Sequence, residues 1–167
     1  MRLTFEPIPE SSGGINLRTC TSKRTWEGLR QETLKKYNNK CAVCGFDDTL
    51  ECHEVWEYND ADEIQTLTEL VSLCNLCHSC KHCHFLDTIP IDVYRYHIQR
   101  VNHLKTEGER EQFFFNYLDL TWNIYNERSE HMWTISFGDY EPLIDNHKIL
   151  RKFGNQWILR KAILGRG

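Results

Sequence analysis

Two hydrophobic periods alternate along this chain, and they predict its elements. From Ser22 to about Tyr37 the apolar positions Trp26, Leu29, Leu34 and Tyr37 recur at near-helical spacing, with Thr21 or Ser22 placed to cap the helix and Asn38 and Asn39 to stop it. Leu50 to Tyr58 reads as a strand, because Val55, Trp56 and Tyr58 favour extended backbone and Asn59 to Glu63 supplies a polar turn. Glu69 to Leu73 reads as a second strand. Beyond Cys74 the positions Cys77, His78, Lys81 and His82 fall at helical offsets, so His78 and His82 share a face one turn apart. Pro90 closes this unit. Ile91, Tyr94, Ile98, Val101 and Leu104 then form one stripe of a further helix, and Thr106 with Glu109 makes a capping box for a long helix to about Ser129. That helix carries Phe113, Phe114, Tyr117, Leu118, Leu120, Trp122, Ile124 and Tyr125, which are expected to be core. Trp133 to Phe137 alternates like a strand, and Lys148 to Leu164 looks like a hairpin around Gly154 and Asn155. Met1 to Cys20, punctuated by Pro7, Pro9, Gly13 and Gly14, reads as an extended arm. The expectation is an α+β chain in four parts: the arm (1–20), a central module with its leading helix (21–88), a helical extension (89–133) and a basic strand and hairpin segment (134–167).

Composition adds bounds to this pattern. At 167 residues, with 40% hydrophobic and 12% aromatic content, the chain is long and apolar enough for one folded unit. It contains no run of about 18 apolar residues, and its first residues lack an apolar leader with a small-residue cleavage site, so a cytoplasmic protein with no membrane contact is expected. The net charge of −4 is segregated. Cys41 to Glu69 holds nine acidic residues and no lysine or arginine, whereas after Asp145 there are six basic residues and no acidic one. Phosphate binding therefore falls to the flanks: Lys148, Arg151, Lys152, Arg160 and Lys161 in the tail, and the basic residues of the first helix, Lys23, Arg24, Arg30, Lys35 and Lys36. The alternative is that these charges only solvate the surface.

The chemistry concentrates between Cys41 and His84. Cys41 and Cys44 form one CxxC, Cys74 and Cys77 another, and each such turn offers two sulfurs to one ion at low loop-closure cost, the donor set of a closed tetrahedral zinc site. Eight cysteines clustered in this way, with histidines among them, point to metal ligation in a reducing compartment rather than to a disulfide framework. Cys20 stands apart as a free thiol. Cys80 and Cys83 extend the second pair to a ladder of three-residue steps that superficially matches iron–sulfur ligation, but a helix would spread them around its circumference. Cys80, Cys83 and His84 stay available to a second metal.

Read in order, Cys41, Cys44, Gly45, then Leu50-Glu51-Cys52-His53-Glu54, then Leu70 to Cys74 with Cys77-His78, the central stretch resembles zinc-stapled HNH endonucleases. The resemblance is close over residues 41–82. A weaker similarity, carried by the Glu51 to Tyr58 run and by Ser129, His131 and Trp133, extends over most of the chain to small bacterial and phage HNH proteins. It implies a ββα-metal finger and metal-dependent hydrolysis of DNA phosphodiesters. By position His53 and His78 match the family's metal ligands, His82 offers a third, and magnesium or another divalent ion would be the catalytic metal. Glu54 stands where the family has its histidine base, and Glu69 where it has an asparagine. A shift of one residue would instead put Cys52 at the ligand position and make His53 the base. Two functions follow: an endonuclease of a bacterial or phage-infected cytoplasm, or a non-catalytic HNH-like zinc scaffold that binds a protein or nucleic-acid partner.

Overall fold

The computed structural model describes residues 2–82, 90–145 and 148. An antiparallel hairpin of β1 (Leu50–Asn59) and β2 (Ile64–Cys74) forms its centre. Asn59 and Asp62 close the turn: Asn59 Nδ2 donates to Asp62 Oδ2 (2.7 Å), and Asp62 N–H donates to Asn59 Oδ1 (3.2 Å). A third strand, β3 (Thr134–Ser136), adds parallel to the start of β2, giving the order β1-β2-β3. The ladder slips by one residue where Val55 faces Glu69 and Trp56 faces Leu67, leaving Thr68 as a bulge. The bulge changes what each face buries. Leu67 and Leu70, three apart, both reach one core with Trp56, Leu17, Ile135 and Phe137, while Val71 and Leu73 enter a second core with Phe5, Cys77, Tyr94 and Ile98.

The helices form where the pattern places them. The Ser22 hydroxyl caps α2 (Lys23–Lys36) through Thr25 N–H, and Asn38 and Asn39 end it in left-handed backbone (φ 55° and 53°). The Cys74 sulfur accepts from Cys77 N–H at the start of α3 (Asn75–Lys81). Further on, α4 (Ile91–Val101) precedes α5 (Glu107–Ser129), which opens with the reciprocal Thr106 and Glu109 capping box. On one face of the hairpin lies α2, and on the other lies α3, with α4 and α5 stacked behind it. The aromatic-rich α5 departs from expectation. Phe114 is buried, but Leu120 and Trp122 are 55% and 58% exposed, because apolar residues lie on several sides of this helix and the core covers one side of it.

The N-terminal stretch does not stand out as an extended arm. It forms a 3-10 turn (Glu10–Ser12) and a short helix, α1 (Leu17–Cys20), capped by Asn16 and Thr19. Leu3 and Phe5 are buried in one core and Ile15 and Leu17 in the other, so the apolar residues between the prolines and glycines decide its path. Asn102, just past α4, clamps Leu3 through both backbone groups (2.8 and 2.9 Å). Arg128 of α5 ties the far end together. It makes a two-pronged pair with Asp60 (2.7 and 3.1 Å) and lies 3.9 Å over the Tyr58 ring. Part of the acidic run has partners on the surface: Asp60 with Arg128, Glu63 with His131, and Glu69 with Lys36. The expected hairpin of the tail lies outside the described residues, apart from Lys148.

Candidate metal centres

The four cysteines converge by backbone geometry. Cys41 to Gly45 makes a tight turn in which Gly45, at φ +77°, donates to Cys41 O (2.9 Å), and Cys41 N–H donates to Phe46 O (2.7 Å). Ala42 N–H bonds Ser72 O at 2.8 Å, which fastens the turn beside the end of β2, where Cys74 leads into α3. One sulfur from each of Cys41, Cys44, Cys74 and Cys77 lies within 4.8 Å of the others, close enough to hold a metal ion. Cys44 and Cys74 are 3.6 Å apart. Thiolates about 2.3 Å from a tetrahedral ion would be about 3.8 Å from one another, so the spacing fits. Crowding shifts the thiols in opposite directions: hydrogen bonds from Cys74 and Cys77 lower the Cys41 thiol below its ordinary value, and hydrogen bonds with Cys41 and Cys74 raise that of Cys77. His97 of α4 adds a contact absent from the sequence reading, its Nε2 lying 3.1 Å from Cys77 Sγ.

A second group forms on the α3 side of the hairpin. Side chains alternate along β1, so Glu51 and His53 face α3 while Cys52, Glu54 and Trp56 face α1 and α2. His53 meets His78 and His82, one helical turn apart, with ring centroids 5.0, 5.2 and 5.0 Å from one another. A ring nitrogen from each lies within 4.8 Å of the other two, and His78 Nε2 is 3.3 Å from His82 Nε2. Two imidazoles bound at about 2.05 Å to a tetrahedral ion are separated by about 3.3 Å. Glu51 Oε2 accepts from His78 Nδ1 at 2.8 Å, which leaves Nε2 as the lone-pair nitrogen facing His82. Burial, joined by the nearby His53 ring, lowers the His78 pKa against the pull of Glu51, favouring the neutral imidazole that a metal needs. Three nitrogen donors suit a transition ion. They suit magnesium poorly, since magnesium takes mainly carboxylate, phosphate and water oxygens.

Other residues singled out in the sequence stand elsewhere. Glu54 does not join the histidines: its Oε1 accepts from Leu17 N–H at 2.8 Å, at the start of α1. Burial raises its pKa to about 8, with the Leu17 and Arg18 backbone N–H groups opposing. Glu69 pairs with Lys36 Nζ (2.8 Å) and Tyr37 OH (2.9 Å), away from the histidines. Cys52 lies on the α2 side, and burial pushes its thiol up to about 11. Cys80 is buried, its thiol raised to about 12 by that burial, and it is not one of the four gathered sulfurs. Cys83, His84, Arg151, Lys152, Arg160 and Lys161 lie outside the described residues.

Besides His97, sequence reading missed two features around the histidines. The first is Glu6, whose Oε2 lies 3.0 Å from His53 Nε2, brought there by a segment 47 residues away for which local pattern gives no signal. The second is the place of Arg18 and Trp26, which join Lys23, Arg30 and Lys148, already singled out in the sequence, with Glu27 and Glu51 in one groove. The histidines border a cavity of about 240 Å³ whose wall includes Arg18 and Trp26. A neighbouring cavity of about 620 Å³ shares those two residues and adds Lys23, Arg30 and Lys148. Lys148 Nζ donates to Thr21 O there. Comparison with known proteins finds no matching family model, no matching curated protein and no matching solved structure.

Proposed function

We propose that this chain is a metal-dependent endonuclease of the HNH type that hydrolyses DNA phosphodiesters, with structural zinc on Cys41, Cys44, Cys74 and Cys77. The observation that carries the reading is the convergence of His53, on a strand, with His78 and His82, on the helix that follows, as a compact three-nitrogen group. The order of strand, strand and helix supports the resemblance of residues 41–82 to a ββα-metal finger, in which His53 and His78 match the family's ligands by position and His82 adds a third nitrogen. A divalent ion there would polarise the phosphoryl oxygen and stabilise the leaving oxygen. His53, His78 and His82 would hold it, Glu51 would orient His78, and the burial of His53 would exclude competing water from its side of the site. Arg18, Lys23, Arg30 and Lys148 would draw the phosphate backbone into the adjoining groove, which compensates for the acidic hairpin. The donor set favours manganese, nickel, cobalt or zinc over magnesium.

One observation favours the second reading, a non-catalytic zinc scaffold that binds a protein or nucleic-acid partner. Glu54, at the base position of the resembled family, is committed to α1. A cleavage assay separates the two readings. Supercoiled plasmid and single-stranded DNA are incubated with the protein in magnesium, manganese or nickel, beside His53→Ala and His78→Ala. The nuclease reading expects cutting that is strongest with manganese or nickel and falls at least about a hundredfold in both variants. No cutting by the wild type, or equal cutting by the variants, overturns it.

A further inference from the structure

Two carboxylates flank the histidine group from opposite directions. Glu51 comes from β1 itself and accepts from His78 Nδ1 at 2.8 Å. Glu6 comes from the N-terminal segment and meets His53 Nε2 at 3.0 Å. Neither carboxylate belongs to the set of ligand atoms that lie within 4.8 Å of one another, so among the described residues both sit behind the histidines rather than among the ligands. Glu6 is held firmly in that position. Its backbone N–H donates to Lys81 O (2.8 Å), its Oε1 takes Lys81 Nζ (3.1 Å), and Lys81 also reaches Thr4 Oγ1 (3.3 Å). The side chains of Glu6, His53 and Lys81 are 9%, 3% and 6% exposed. A carboxylate this deep costs free energy unless its oxygens are bonded, and here His53 and Lys81 bond one each.

We infer that Glu6 is a positioning residue of the histidine centre, accepting His53 Nε2–H so that His53 presents Nδ1 to the ion, while Glu51 makes His78 present Nε2. The inference rests on the reading that these histidines hold a metal. A carboxylate behind a metal-bound histidine fixes its tautomer and ring orientation and raises its basicity, and loss of such a partner typically weakens metal binding about 10- to 100-fold. The N-terminal segment is then part of the metal centre. Leu3, clamped by Asn102, and Thr4, bonded to Lys81, set the position of Glu6 and so of the His53 ring.

The test uses the full chain with its cysteine site filled, titrated with zinc or cobalt. Nitrogen-detected NMR of the imidazoles should show His53 protonated at Nε2 and metal-bound at Nδ1, with His78 the reverse; His53 bound through Nε2 overturns the assignment. Glu6→Gln should weaken the histidine site about 10- to 100-fold and leave the cobalt–thiolate absorption of the cysteine site unchanged. Because Glu6→Gln strands the Lys81 charge, the double variant Glu6→Gln/Lys81→Met is measured beside it and should show the same loss. Unchanged affinity in both variants, with His78→Ala abolishing binding, overturns the role of Glu6 alone. A wild type whose histidine nitrogens do not respond to metal, or a His78→Ala that binds as tightly, overturns the metal reading beneath it.

Discussion

Glu54→Gln decides whether the residue at the family's base position does chemistry or holds α1. The carboxyl is 9% exposed and accepts from Leu17 N–H at 2.8 Å, and burial lifts its pKa from an ordinary 4.5 to about 8. A raised folded pKa means that the folded chain keeps a proton the unfolded chain releases. Stability from this group is thus complete below pH 4.5 and declines as pH rises toward 8. At about 1.36 kcal/mol per pH unit, the decline from pH 4.5 to pH 7 amounts to about 3 kcal/mol. Glutamine keeps an oxygen for Leu17 N–H and does not titrate. The variant should therefore lose this slope and gain on the wild type steadily between pH 5 and pH 8 in urea denaturation. It should also keep metal binding at the histidines and any DNA cleavage within a few fold. Parallel stability curves would refute the buried, protonated carboxyl, and a folded Glu54→Gln that binds metal but no longer cuts would return Glu54 to the role of base.

Other outcomes follow from the same contacts. Cys77→Ser removes a fully buried sulfur of the four-sulfur group and should lose one equivalent of metal; because metal binding there is folding free energy, the thermal midpoint should fall by about 10 °C or more, at roughly 2–4 °C per kcal/mol. Arg18→Glu, on the wall shared by the two cavities, should weaken DNA binding and flatten its dependence on salt, as read by fluorescence anisotropy from 50 to 200 mM; an unchanged slope would remove the groove from the interface. Gly138→Ala places a Cβ 2.7 Å from Leu67 O at φ +52° and should cost about 1–3 kcal/mol in chemical denaturation, with metal content unchanged.

The parts of this protein set by local chemistry were legible in the sequence. The Asn38 and Asn39 stop, the Thr106 and Glu109 box and the first strand ending at the Asn59 to Glu63 turn depend on neighbours a few residues away, and they appear where the pattern puts them, whereas the second strand starts at Ile64, five residues before the expected Glu69. The CxxC spacing and the helical offset of His78 from His82 likewise anticipate two groups of ligand atoms. What escaped is long-range. The bulge at Thr68 aligns Leu67 with Leu70, the N-terminal segment crosses to α3 and carries Glu6, and α1 returns to bond the Glu54 carboxyl. A strand's alternation already puts Glu54 opposite His53. The resemblance set them side by side as base and ligand, and the pleat separates them.

Metal stoichiometry tests most directly whether the chain holds two separate centres. Metal-stripped protein, reconstituted and titrated to saturation with cobalt, is measured by elemental analysis and visible absorption for the wild type and for His78→Ala. The expected result is two equivalents in the wild type, one with thiolate charge-transfer absorption and one without, and a single thiolate-bound equivalent in His78→Ala. One equivalent in both proteins would leave the histidines without an ion and contradict the nuclease reading.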